Sequence, residues 1–174
     1  LEYGKQQEAT LGKAAHLLKT RPEELVVRME MALQHNHELE KELASLQTQL
    51  AKGSVQELLK NAKVVKAVPF VAAKVNAPDM DALRAMADMA RDGLPSGVVV
   101  LGAVVGEKVN FVAMAGKAAV ARGVHAGNIV REVSAAAGGG GGGRPEMAQA
   151  GGKNPEKIDA ALRLVVDVLE KQIK

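Results

Sequence analysis

Apolar positions recur in steps of three and four up to about residue 60, and then the period changes. Residues 5–19 read as a short helix with Leu11, Ala14, Ala15 and Leu18 on one face. Thr20-Arg21-Pro22-Glu23-Glu24 is a stop and a restart. Thr20 or Arg21 ends the first helix, Thr20 is the natural N-cap of the next, and Pro22 with two acids suits its first turn. In the second helix Leu25, Met29, Ala32, Asn36, Leu39, Leu43, Leu46 and Leu50 alternate in steps of four and three, a heptad seam sustained over nearly four heptads. Asn36 is its one polar residue, of the kind that fixes register at some cost in stability. Across so short a turn the two helices should fold back as an antiparallel hairpin. The first is too short to cover the whole seam, so Leu39 to Leu50 needs another chain, the globular part or a missing domain. Gly53 and Ser54 loosen the helix, and Val55–Asn61 adds another turn or two.

From Lys63 the residues are β-branched. Residues 63–75, interrupted by Pro69, predict one bent strand or two short ones. Pro78-Asp79 opens a helix with Leu83, Met86 and Ala90 inward, and Gly93-Leu94-Pro95-Ser96-Gly97 ends it. Residues 98–104 are continuously apolar, the mark of a strand covered on both faces. A tight turn at Gly106-Glu107-Lys108 returns the chain as a second strand over 109–115, a hairpin at the sheet centre. Lys117–Arg122 reads as a short helical piece. Ala126–Ala137 reads as a helix with Ile129, Val130 and Val133 inward, running straight into glycines. Met147–Ala150 suits a short edge strand. Asn154-Pro155-Glu156 caps a last helix with Ile158, Ala161, Leu162, Val165, Val166 and Leu169 on one face. The expected fold is α+β: a coiled-coil-like helical hairpin over 1–60, then over 61–174 a small globular domain whose central β-sheet is covered by helices and which carries a Gly-rich loop at 138–152.

Composition narrows the chemistry. The 174 residues hold no cysteine, which removes disulfides, thiolate metal ligands and a Cys nucleophile. Aromatics are only Tyr3, Phe70 and Phe111, so the core is built from Val, Leu, Ala and Met. No apolar run approaches the ~20 residues that span a bilayer, and the polar start shows no signal peptide, so a cytoplasmic protein without membrane contact is expected. Net charge is +3, unevenly spread: residues 1–60 carry 8 Lys+Arg against 9 Asp+Glu, while residues 108–153 carry 6 against 2. The basic excess surrounds the glycines and suits an anionic partner such as nucleic acid.

The glycine stretch, Gly138 to Lys153, places eight of the chain's 18 glycines in 16 residues. Glycine loses more backbone entropy on folding than any other residue, so a folded domain concentrates it where φ is positive or where something must approach the main chain. A flexible linker is the plain alternative, but Arg-Pro and a capped helix follow at once. G-x-G-x-x-G is met trivially by Gly138, Gly140 and Gly143, yet a dinucleotide fold needs a strand before the loop and here a helix precedes it. Neither Gly-Lys pair, at 116–117 or 152–153, completes a phosphate-binding Walker loop. His16, His35, His37 and His125 show no metal-ligand spacing. Ser54, Ser96 and Ser134 have no positioned base. No catalytic constellation and no metal site is expected, and a binding module is favoured over an enzyme. Consecutive glycine N–H groups can line an anion-binding concavity. Arg144 adds a bidentate fork and Lys153 a point charge. Gln149 suits base edges or 2′-hydroxyls. With so few aromatics for stacking, a shaped, folded RNA fits better than a single strand.

Gly139–Gly152, Gly-Gly-Gly-Gly-Gly-Arg-Pro-Glu-Met-Ala-Gln-Ala-Gly-Gly, resembles the signature at the C-terminus of bacterial alanyl-tRNA synthetases. Ala126-Gly127-Asn128-Ile129-Val130-Arg131-Glu132-Val133 resembles that family's Ala-Gly-x-x-Val helix, and Ser96-Gly97-Val98-Val99-Val100-Leu101-Gly102 its central strand. Leu1-Glu2-Tyr3 with the heptad helix is similar to the segment linking its editing and C-terminal domains. Gly141 or its neighbour departs from the pattern, since the family often has Lys there, which removes one expected phosphate contact. The resemblance, which covers essentially the whole chain, implies a domain family also appended to DHH phosphoesterases. In the synthetase this domain would bind the elbow of alanine-specific tRNA, support aminoacylation and editing, and in some members contribute to dimers. The aminoacylation site and the zinc-bearing editing site would lie in upstream synthetase domains, with ATP and zinc there and no cofactor in this segment. Carried over by position, Gly140, Gly141, Gly142, Gly143, Arg144 and Gln149 are the RNA-binding candidates. Lys153, His125, Lys117 and Arg122 join them on charge and position. The competing expectation is a structural module in which the seam of Asn36, Leu39, Leu43, Leu46 and Leu50 makes a homodimer and the glycines only pack. An independent phosphoesterase would need an Asp-rich metal site that the chain lacks.

Overall fold

A computed structural model describes all 174 residues, Leu1–Lys174. They form two compact units, Leu1–Gln49 and Leu50–Lys174. In the first, α1 (Glu2–Leu17) and the start of α2 (Leu25–Lys60) are joined by a short connection containing a single 3-10 turn at Pro22–Glu24. Lys19 takes φ 50°, and the Lys19 and Thr20 N–H groups donate back to His16 and Ala15 carbonyls, a Schellman-type ending. Thr20 therefore makes no N-cap bond; its hydroxyl donates to Glu24 Oε2 at 3.2 Å. Burial in this unit is confined to the turn, at Ala15 and Leu25, whereas Leu11 and Met29, expected on the facing sides of an antiparallel hairpin, are exposed, so the two helices do not pack along their length as expected. Along the seam Leu39, Leu43, Leu46 and Leu50 are 48–72% exposed, and Asn36 is exposed as well. Gly53 and Ser54 do not interrupt α2, and its last turns belong to the second unit, where Val55 is buried and Leu58 and Leu59 pack beside it.

The second unit is α+β, built on a six-stranded sheet in the order β1-β2-β3-β4-β6-β5. The strands are β1 (Lys63–Val65), β2 (Val68–Lys74), β3 (Val98–Val105), β4 (Lys108–Ala115), β5 (Gly140–Gly143) and β6 (Met147–Gly152). The helices are α3 (Met80–Asp92), α4 (Lys117–Ala121), α5 (Ala126–Ala136) and α6 (Ile158–Gln172). β2 and β3 are parallel, with α3 as the crossover; every other pair is antiparallel. β3 and β4 form the central hairpin, turned by Gly106 at φ 62°. Their apolar runs divide by pleat. Val98, Val100, Phe111 and Ala113 join α5 and α6 in one core, while Val99, Leu101, Val112 and Met114 meet α3 and the end of α2 in the other. Burial on both faces explains why this stretch shows no alternation.

Three sequence expectations change here. The break over 63–75 falls at Lys66-Ala67, both at positive φ (46° and 66°), not at Pro69, which lies inside β2. Pro69 is tolerated because its position faces away from β1 and pairing with β3 begins only at Phe70. On α6 the buried valines are Val165 and Val168, while Val166 is 36% exposed. Asn154 gives no side-chain cap, and a 3-10 turn at Pro155–Lys157 leads into α6. Asp79 does cap α3, accepting the Ala82 N–H at 2.8 Å.

Candidate nucleic-acid interface

The glycine stretch is a β-hairpin rather than a loop. Gly140–Gly143 form the edge strand, and Met147–Gly152, expected at the edge, lie between it and β4. Gly138, at φ 73°, ends α5: its N–H and that of Gly139 donate to the carbonyls of Ala135 and Ser134. The next glycines alternate in what they require. A Cβ at Gly139 or Gly141 would overlap the β6 backbone, and one at Gly143 would lie 2.7 Å from Ala148 Cα. A Cβ at Gly140 would meet nothing within 4 Å, and at Gly142 only the Arg131 guanidinium at 3.8 Å. The fold thus demands glycine at 139, 141 and 143 and makes no steric demand at 140 and 142. Gly151, directly opposite Gly140, is equally undemanding, since its Cβ would meet ordinary contacts at 3.7 Å and beyond.

Around this bare strip stand unpaired cations. Arg144 opens the turn, where its N–H donates to Met147 O at 2.9 Å, and its side chain is exposed. Lys153 follows β6 at the other end, about 20 Å away by strand rise. Arg131, on α5, lies beside Gly142. None of the three forms an ion pair; the salt bridges are confined to Arg84 and Arg91. Gln149, opposite Gly142 on β6, is half-buried and uses neither end of its amide in a hydrogen bond within the protein. Sequence reasoning counted Arg131 in the basic excess but not in the site. Its proximity to Gly142 comes from α5 packing on β5, which no local spacing records.

The remaining candidates separate. His125 is the N-cap of α5, its Nδ1 accepting the Asn128 N–H at 3.2 Å, while its main chain exchanges two hydrogen bonds with the Gln172 amide. It nevertheless adjoins the hairpin: Ala126 N–H donates to Pro145 O at 2.9 Å, and a Cβ at Gly127 would lie 2.5 Å from Gly143 O. Lys117 begins α4 and is exposed, two residues after Ala115, whose N–H donates to Glu146 O in the hairpin turn. Arg122 is engaged elsewhere, its guanidinium donating to the carbonyls of Lys66 and Lys174. No group of three His, Asp or Glu side chains converges anywhere in the chain. No helix is long and apolar enough to cross a membrane.

Residues 67–171 match the DHHA1 domain model. The chain belongs to the DHHA1 domain family. Along its whole length it is similar to a segment of alanine–tRNA ligases. It is 51% identical over 174 residues to alanine–tRNA ligase of Desulforamulus reducens and 46% identical to that of Pelotomaculum thermopropionicum, in each case across all of this chain and 20% of that protein. The crystal structure of the C-Ala domain from Aquifex aeolicus alanyl-tRNA synthetase superposes with a TM-score of 0.58 at 33% identity, covering 63% of this chain and 97% of that one. The chain thus spans about a fifth of the length of the curated relatives it matches.

Proposed function

We propose that this chain binds tRNA through the β5–β6 hairpin, docking it against the folded elbow so that upstream synthetase domains can aminoacylate and edit the bound alanine-specific tRNA in the cytoplasm. The observation that carries the reading is the pair Gly140 and Gly142. Both lack side chains where the fold leaves room for one, which is the arrangement expected if an outside partner approaches the main chain. Arg131, Arg144 and Lys153 surround that strip without carboxylate partners, which leaves them free for phosphate contacts. Gln149, its amide unengaged, supplies a polar contact for bases or 2′-hydroxyls. Arg122 drops out of the set because carbonyls occupy its guanidinium. ATP and zinc belong, in this reading, to the upstream domains, and this segment contributes positioning rather than bond-making. The test is a salt series of tRNA binding: Arg144→Ala and Gly142→Val should both weaken binding, and Arg144→Ala should also reduce its salt dependence. Parental binding by both would remove the hairpin from the interface.

A second reading rests on a separate observation. The exposed leucines from Leu39 to Leu50 form one stripe of α2, and a second copy of the chain would bury it as a coiled-coil seam with Asn36 setting register. Sedimentation across a concentration series tests this: a monomer at all concentrations excludes it and leaves the tRNA reading intact.

A further inference from the structure

A groove lies at the other end of the sheet from the glycine hairpin. β1 pairs with β2 only at Val68, Pro69 and Phe70, whereas β2 continues to Lys74 and pairs with β3 from Phe70 onward. From Val71 to Lys74 the outer edge of β2 therefore has no strand beside it. The register shows which groups are left over. The two-residue turn makes Val65–Val68 a hydrogen-bonded pair, so Lys63–Phe70 is the next and Val64–Pro69 falls between them, where Pro69 has no N–H to give. By the same alternation Ala72 turns its N–H and C=O outward, while Val75, on the opposite alternation, donates inward to Gly102 O at 2.8 Å. Ala72 is half-buried, and its main-chain groups find no partner in the protein. Over this edge opens a groove of about 610 Å³, walled by Leu58 at the end of α2 and by Leu162 and Val166 on α6. Lys63, Lys74 and Arg163 line it against the single carboxylate of Asp159, and none of the three cations is ion-paired.

We propose that this groove binds an extended acidic peptide segment, which adds as an antiparallel strand to Val71–Lys74 in line with β1. The unpaired edge supplies main-chain recognition, the apolar walls take alternate side chains, and the cations select acidic ones. Charge and hydrogen bonding choose this occupant. A second copy of the same edge would bring three cations against three, and nucleic acid offers no strand of alternating N–H and C=O to pair with Ala72. The exposed Val166, which the helical pattern of α6 alone would bury, has a place in such a complex.

The test uses the full 174-residue chain and a capped hexapeptide of alternating valine and glutamate, followed by backbone amide resonances. The expected result is saturable binding with shifts centred on Val71–Lys74 and slowed exchange of the Ala72 amide. N-methylation of the peptide amides that face β2 should abolish binding, and N-methylation of the alternate amides should not. Lys74→Glu with Arg163→Glu, both at exposed positions, should weaken binding several-fold and admit the hexapeptide in which lysine replaces glutamate. tRNA binding should be the same with and without peptide. Absence of binding at millimolar peptide, shifts centred elsewhere, or equal binding by both N-methylated peptides would each overturn the proposal.

Discussion

Replacing Gly141 with alanine places a methyl group where the backbone of β6 already stands. Its Cβ would overlap Ala150 Cα, Ala150 Cβ and Gln149 O. Two of these are main-chain atoms of the strand to which β5 is bonded, so no rotamer change relieves the clash and the two strands must separate. Overpacking of this kind costs about 2–3 kcal/mol. For the Leu50–Lys174 unit that corresponds to a drop in Tm of about 8–12 °C, at roughly 4 °C per kcal/mol. Gly142→Ala is the matched control, because its Cβ would meet only the Arg131 guanidinium, at 3.8 Å. Removing unfolded-state freedom there is neutral or stabilising, within about 1 kcal/mol. The assays are thermal melts followed by circular dichroism, with urea unfolding at constant m-value to confirm that only stability has changed. Equal losses of stability in the two variants, or parental stability in Gly141→Ala, would refute the alternating account of the glycine strand.

Three further outcomes follow from the same geometry. Arg122→Ala should lower stability by about 1 kcal/mol through loss of its bonds to the Lys66 and Lys174 carbonyls, with tRNA affinity unchanged; lowered affinity at unchanged stability would return it to the interface. Asp79→Ala, which removes the N-cap bond to Ala82, should cost about 1 kcal/mol in urea unfolding and leave tRNA binding alone. Leu43→Glu, at a position 57% exposed, should leave the melt of the globular unit unchanged and abolish any concentration-dependent dimer in sedimentation.

The elements best legible in the sequence were those whose local signals and tertiary roles agree. Asp79 marked the start of α3, the unbroken apolar run at 98–104 marked a strand buried on both faces, and Gly106 marked the central turn. The turn at Lys66-Ala67 was hidden because two side-chain-bearing residues take positive φ there. Distant atoms surround it: Lys66 Nζ donates to Glu170 O at 2.7 Å, and Arg122 bonds the Lys66 carbonyl. The glycine strand was hidden for another reason. Strand assignment rests on side-chain alternation and β-propensity, and four glycines have neither. Its pairing comes from β6, of which the sequence showed only Met147–Ala150 as a short edge strand; the structure extends it to Gly152 and buries Ala148, Ala150 and Gly152. Of the candidate interface, the hairpin residues came from the motif, whereas Arg131 enters and Arg122 leaves only through packing across elements.

The central claim is that the bare positions of β5 are kept for tRNA rather than for the fold. The most direct measurement is tRNA affinity of the parent chain and Gly142→Val in one buffer, with a duplex RNA control and melts run in parallel. The account predicts several-fold weaker tRNA binding by Gly142→Val at parental Tm, with binding to the duplex control unchanged. Parental tRNA affinity in a folded Gly142→Val chain would contradict it.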